Sequence, residues 1–492
     1  MQGAPHASHL DYRQYFDTMA ASVGACTLSI AADAYAEERA AQLYAQVAAD
    51  EAVLAAMLPM QPHTIYVVKK PLAGMQRIGH AIYCTADQVL DGSYRPWLAE
   101  AAFGVERWQA VGLAGVAFGE RTEDAALAAW YADNSHDAML SLFPAYFVEA
   151  FATAEELHMA QQTALSLTAY IVRCHGVEAV STAAPEAFAA EWLASLGMDR
   201  AYSSAYAGVL AGYTYTHNQF YPLIATSPKG DVFKMKPLYD MESPAQAWLA
   251  LCDLEVAVDA ILEGIRQDAP DWYDRLKGNY AAPITYEFGA SEGYSVTYFA
   301  NRRVSVGGAA SLIHETTHMM TPCQVGRISR YMDQWKVEAI AEYLTNTYYN
   351  GRMEQETIFT YLQDAYINAH ESPEAQDFYR RTKQIYTEYA PTPQIPADVR
   401  LVLWWRAAAL TKGLRNVVDV YAGVGSASLD AVNGNELSYA ESAWLASYLI
   451  NRHGLSAFLH YCLDEGVSFE AAFGLPYLEA KEAWLQTRSL MD

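Results

Sequence analysis

Two histidines four residues apart, with a glutamate beside the first, are the residues here whose types and spacing speak most directly of chemistry: His314-Glu315-Thr316-Thr317-His318. On a helix, positions i and i+4 share one face, about 6 Å apart along the axis. Two imidazoles so placed can close on one Zn²⁺, with Glu315 directed at a water in the open coordination position. Leu312, Ile313, Met319 and Met320 supply an apolar shell, and the two spacer positions carry neither charge nor proline. Pro322 is placed to end the helix. Coincidence would put such a pentad in about one chain in fifty of this composition.

A third ligand is offered by Glu338, twenty residues beyond His318. In Trp335-Lys336-Val337-Glu338-Ala339-Ile340-Ala341-Glu342-Tyr343 two carboxylates again lie at i and i+4. Glu338 is expected to bind the ion, while Glu342 accepts the other ring N–H of His314 and fixes its tautomer. The competing reading is two solvated glutamates and a helix whose histidines are merely packed.

Positioning these groups takes helices and at least one sheet. Residues 31–58 and 244–267 read as long, alanine-rich amphipathic helices. A β-branched and aromatic run follows each, at 63–68 and 283–288, and a second strand is expected around 80–84 and 294–299. The zinc helix is expected at 309–320 and the helix of Glu338 at 334–349. A polar helical stretch at 353–389 leads to a proline-rich break at 391–396, and 398–415, 438–453 and 454–486 read as helices. A small sheet lobe followed by a helical lobe is α+β order.

At 492 residues the chain should hold two or three domains, and we divide it at 1–205 and 206–492. Hydrophobic residues make up 52% and charged residues 18%, which fits a globular chain and excludes a disordered one. A net charge of −25 argues against nucleic acid or an anionic membrane as partner, since phosphate binding needs a basic surface. The six cysteines carry no CxxC pair and suggest buried or free thiols, neither a disulfide scaffold nor a cysteine zinc site. Cys323 stands near the expected metal, where packing is the simpler role. No apolar run reaches the ~18 residues of a membrane span. Met1 to Tyr12 lacks the basic and apolar regions of a signal peptide, and the compartment stays open.

The two halves also resemble each other. Residues 79–104 lie beneath 293–318 without a gap, and 108–115 fall beneath 335–342. Ala169-Tyr-Ile-Val-Arg-Cys-His-Gly176 likewise matches Ser447-Tyr-Leu-Ile-Asn-Arg-His-Gly454. In that register His314 becomes Glu100, Glu315 becomes Ala101, His318 becomes Gly104 and Glu338 becomes Val111. The N-terminal copy would hold no zinc there and would serve packing or substrate contact. Similar helix-strand grammar without duplication is the alternative.

Residues from about 225 to 492 resemble the gluzincin metallopeptidases, in particular the peptidase MA-like group related to aminopeptidase N and thermolysin. The HETTH pentad with Glu338 and Glu342 has thermolysin-like spacing. Trp335 to Tyr343 is similar to the family's WxxEGxAxY helix, with Ala339 where the family has glycine. Leu437 to Gly454, then Ser468 to Gly474 and Trp484, are similar to its C-terminal helices. The resemblance implies a mainly helical zincin-type domain with a small sheet lobe, Zn²⁺ as cofactor and a peptide or protein as substrate. It also implies that Tyr439 faces the scissile carbonyl as an oxyanion donor, the role a zinc hydrolase needs opposite its metal; a packed tyrosine is the rival reading. Gly289-Ala-Ser-Glu292-Gly293 occupies the place of the aminopeptidases' GxMEN, whose glutamate pairs with the substrate's amine. Two of its positions depart from that pattern, so Glu292 is either an amine anchor or part of an ordinary edge strand open to an extended peptide.

The expectation is zinc-dependent hydrolysis of a peptide bond, with His314, His318 and Glu338 as ligands and Glu315 as general base. Two alternatives stand beside it: a non-catalytic zinc-containing scaffold derived from a peptidase, and a hydrolase acting on some other amide.

Overall fold

The computed structural model of the chain describes residues 18–31, 34, 37–71, 74–148, 151–182, 184–198, 206, 208–238, 240–289, 295–323, 334–349, 435–477, 479–480 and 483. The fold is mixed α+β, with two small sheets and many helices. Two compact units emerge, one built mainly from residues up to 208 and the other mainly from residue 249 onward, with the stretch between divided among them.

In the first unit, strands β1 (Thr18–Val23) and β2 (Cys26–Ala31) form a hairpin whose turn passes through Gly24 at φ +60°. Helix α1 (Glu37–Ala55) follows, an alanine-rich run of strong helix formers that buries Leu43, Val47 and Leu54. The chain returns through β3 (His63–Val67), β4 (Gln76–Ile78) and β5 (Ala81–Cys84) to make a sheet of order β1-β2-β3-β5-β4. Helices α2 (Arg95–Phe103), α3 (Arg107–Ala117) and α4 (Ala154–His175) then pack in turn, α2 on α3 and α3 on α4. A capping box between Thr153 and Glu156 starts α4. Gly176, at φ +89°, ends it and leads straight into α5 (Val177–Thr182).

The second sheet joins β6 (Thr214–Thr216), β7 (Leu223–Thr226), β8 (Val232–Met235), β9 (Thr285–Phe288), β10 (Val296–Tyr298) and β11 (Arg303–Val306) in the order β10-β11-β9-β8-β7-β6. Apart from the extra β6, this is the order of the first sheet. In both, an antiparallel hairpin at one edge continues into two parallel pairings. Helices α6 (Pro244–Asp268) and α7 (Pro270–Ala281) connect β8 to β9. Phe233 and Tyr286, register partners on β8 and β9, stack with centroids 4.5 Å apart and anchor the core beneath the site.

After β11 come α8 (Leu312–Met320), α9 (Gln334–Tyr348), α10 (Asn435–His453), α11 (Leu455–Leu463) and α12 (Phe469–Phe473). Gly454, at φ +85°, separates α10 from α11 just as Gly176 separates α4 from α5.

Several boundaries differ from the sequence reading. The stretch 454–486 is not one helix: Gly466 adopts φ +77°, a left-handed conformation, and Ser468 caps a new start. The gapless match of 79–104 to 293–318 also gives way. By place in the sheet, β5 corresponds to β11, and the link from strand to helix is longer in the first unit because it carries an additional helix, Ala86–Leu90. The stretches 353–389, 391–396 and 398–415 lie outside the described residues, as does Glu292. No described helix is long and apolar enough to cross a membrane.

Candidate metal centre

Helix α8 is entered through Gly307-Gly308 and a short 3₁₀ turn, Ala309–Ser311, which shortens the expected helix at its start. Its spacer threonines are fully buried. The Thr316 hydroxyl donates to the Leu312 carbonyl (2.7 Å) and that of Thr317 to Ile313 (2.9 Å), so neither is left unsatisfied in the core. Thr316 Oγ1 also lies 3.1 Å from the Tyr286 hydroxyl, tying the helix to β9. At the other end Asn279 of α7 donates its amide N–H to the Met320 carbonyl at 3.0 Å. The helix is thus held at its C-terminal end and along its buried face.

Helix α9 presents Glu338 and Glu342 to α8 while burying Ala339, Ile340, Ala341 and Leu344. His314 Nε2 and His318 Nε2 both lie 3.2 Å from the same atom, Glu338 Oε2. The two rings stand nearly perpendicular, with centroids 4.6 Å apart. On the far side of its ring, His314 Nδ1 is 3.0 Å from Glu342 Oε1, and Asn346 donates to Glu342 Oε2 at 2.8 Å. His318 Nδ1 is buried and finds no hydrogen-bond partner among the described residues.

Glu315 is buried as well. Its Oε2 accepts a hydrogen bond from Thr297 Oγ1 at 2.6 Å, and the same hydroxyl lies 3.1 Å from the Glu315 carbonyl oxygen. Thr297 sits in the middle of β10, the edge strand of the sheet, where Val296, Tyr298 and Phe299 are exposed. The ligand-capable atoms of His314, Glu315 and His318 all fall within 4.8 Å of one another.

This cluster carries strong electrostatics. Burial pulls the His314 imidazolium down, but Glu338 and Glu342 more than offset it and hold the ring's pKa at about 10. Burial likewise opposes ionisation of Glu338, yet the two histidines hold its carboxyl well below the usual carboxylate range. Two ring nitrogens aimed at one carboxylate oxygen need either ring N–H protons or a metal ion between them. Ligand atoms around a tetrahedral Zn²⁺ with bonds of ~2.0–2.1 Å stand about 3.3 Å apart. The observed 3.2 Å separations and the His₂Glu donor set therefore suit such an ion.

Of the residues singled out in the sequence, His314, Glu315, His318, Glu338 and Glu342 are brought together. Tyr439 falls on α10, and its side chain lies outside the described atoms; Glu292 is outside altogether. Sequence reasoning missed Thr297 and Asn346. A threonine in a short edge strand carries no signal of its own, whereas Asn346 could have been found as the next i+4 position after Glu342.

Glu100, which the sequence match sets beneath His314, has other partners in the first unit. There Glu100 is held by Arg77 Nε (2.9 Å) and Arg107 (3.1 Å), and Arg107 stacks over the Trp97 ring.

Compared with protein-family models, with curated proteins and with solved structures, the chain gives no match. Its function must be read from the site itself.

Proposed function

We propose that this chain is a zinc-dependent peptidase of the gluzincin type. The observation that carries the reading is the convergence of His314 Nε2 and His318 Nε2 on Glu338 Oε2, with the Glu315 carboxylate beside them. His314, His318 and Glu338 would hold the ion, which when bound supplies Lewis acidity, lowering the pKa of water toward ~7 and polarising a carbonyl. Glu315 takes a proton from the attacking water on its carboxylate and delivers it to the departing amine. Thr297 keeps that carboxylate turned toward the site, and Glu342 holds the proton on His314 Nδ1 so that Nε2 faces inward.

The substrate is an extended peptide. Among the described residues strand β10 is the outermost of its sheet beside Glu315, and its exposed Val296 and Tyr298 supply contacts for alternate residues of an added strand. By the resemblance, Tyr439 is the donor to the developing oxyanion and Glu292 the anchor for a free amine. The shared strand order, and the matching glycines that end α4 and α10, support the further reading that the N-terminal unit descends from a duplicated copy whose site lost its ligands.

A Glu315→Gln variant should bind zinc as the parent does and lose turnover by about 10²- to 10⁴-fold, the usual reach of a general base. Cleavage of a mixed peptide library, with and without chelator, reads the outcome. Undiminished turnover in Glu315→Gln would remove Glu315 from the role of general base, and no chelator-sensitive cleavage by the parent would overturn the proposal in favour of a non-catalytic zinc scaffold.

A further inference from the structure

The N-terminal unit buries a second group of metal-binding side chains, on elements the proposed peptidase chemistry does not use. Cys26 opens β2 and His63 opens β3, and the two are register partners in a parallel ladder, so they share a face of the sheet. Glu51 approaches that face from α1, which packs on β1 and β2. All three are at least nine-tenths buried, at 2%, 3% and 5% exposure. Their ligand atoms lie within 4.8 Å of one another.

The hydrogen bonding of His63 sets the problem. Its Nδ1 is 2.9 Å from the Gln61 carbonyl oxygen, which only accepts, so Nδ1 carries the proton and Nε2 of the neutral ring is a lone pair. That lone pair faces Glu51 Oε1 at 2.8 Å. Both atoms are buried, and the contact lacks the geometry of a hydrogen bond. Two acceptors do not face one another in a dry interior unless something positive lies between them.

An extra proton would serve, giving an ion pair, but it leaves the thiol without a part. A divalent ion uses all three groups, since a thiolate and a carboxylate neutralise its charge and the imidazole completes a borderline-soft donor set. The carbonyl behind Nδ1 is the partner that zinc-bound histidines commonly have. The hairpin is also shaped to this carboxylate: a Cβ on Gly24 would stand 3.0 Å from Glu51 Oε2, and its φ of +60° favours glycine. A nucleophilic role for Cys26 fails on two counts. The side chain is closed to substrate, and burial, then the charge of Glu51, pushes its thiol up to about 12.

We propose that Cys26, Glu51 and His63 form a second metal site, structural in role and suited to Zn²⁺ or Co²⁺, which staples the β1–β2 hairpin to α1 and β3. Seating a tetrahedral ion would part the His63–Glu51 contact to about 3.3 Å, and the thiol proton would leave to solvent as the sulfur–metal bond forms.

The test uses the full chain with His314→Ala and His318→Ala together, which removes the other centre and so separates this site from the peptidase reading. Loaded with Co²⁺ and dialysed, this variant should retain one equivalent by elemental analysis and show sulfur-to-cobalt charge-transfer absorption. Adding Cys26→Ser should abolish that absorption, while Cys174→Ser, at the exposed thiol, should leave it intact. If the double variant folds poorly, the parent chain should hold two equivalents and show the same band, again lost with Cys26→Ser. A chain that retains no cobalt once the HETTH histidines are gone, or whose bound cobalt shows no thiolate band, overturns the proposal.

Discussion

Thr297 and Glu315 are joined by a 2.6 Å hydrogen bond between an edge-strand hydroxyl and the carboxylate proposed as general base. The bond fixes which carboxylate oxygen is free, and it ties the base to the strand on which we place the substrate. Thr297→Val keeps the shape and removes the donor. It should lower kcat by about 10- to 100-fold, as loss of an outer partner commonly does, leave zinc content unchanged and shift KM little. Thr297→Ser should restore most of the rate. Wild-type kcat in Thr297→Val would show the hydroxyl to be packing alone.

Glu342 orients His314 from behind, and Asn346 in turn holds Glu342. Glu342→Ala removes the acceptor for Nδ1–H and should weaken zinc binding by about 10- to 100-fold in a chelator competition. Glu342→Gln, which keeps a carbonyl acceptor, should fall between that variant and the parent. Equal affinity in all three would mean that Glu342 does not set the ring's orientation.

The charge balance of the centre makes the metal-free chain respond to pH with a definite sign. His314 is raised to about 10 in the folded state, so its contribution is fully present below its ordinary value near 6.5 and is lost as pH climbs toward 10. Glu338 is depressed, so its contribution is present above its ordinary value near 4.5 and fades as pH falls. In chelator, Tm should therefore peak between about pH 4.5 and 6.5 and decline on the alkaline side. With saturating zinc the alkaline decline should vanish, because the ion takes the place of the proton. Identical profiles with and without zinc would contradict this.

Helix α9 owes its position to an apolar face as much as to its carboxylates. Ile340 is fully buried there, two residues from both Glu338 and Glu342 and so on the opposite side of the helix. Ile340→Ala should cost about 2–5 kcal/mol in denaturant unfolding, and zinc affinity should fall with it. A change under about 0.5 kcal/mol, the usual range for surface sites, would place Ile340 outside the packed core.

The parts of this site that could be read from sequence are those whose chemistry depends on local spacing. Four residues separate His314 from His318 and Glu338 from Glu342, and a helix turns that interval into one face without tertiary help. Strands were harder. Thr18–Val23 and Cys26–Ala31 are rich in alanine and serine and have weak strand preference, so pairing across Gly24 makes them strands. The strand expected over 294–299 ends at Tyr298 because a 3₁₀ turn begins at Phe299 and Arg302 takes φ +44° to bring in β11, a strand the hydrophobic pattern did not mark. Cys26, Glu51 and His63 were invisible as a group because they come from three elements with no motif spacing. Only the parallel register of β2 and β3 under α1 assembles them.

The most direct measurement is anomalous diffraction at the zinc edge from crystals of the zinc-loaded chain. A peak bounded by His314 Nε2, His318 Nε2 and the Glu338 carboxylate, with Glu315 beside it and not bound, is the predicted result. No density at that point, or imidazoles turned away from Glu338, would contradict the account at its base.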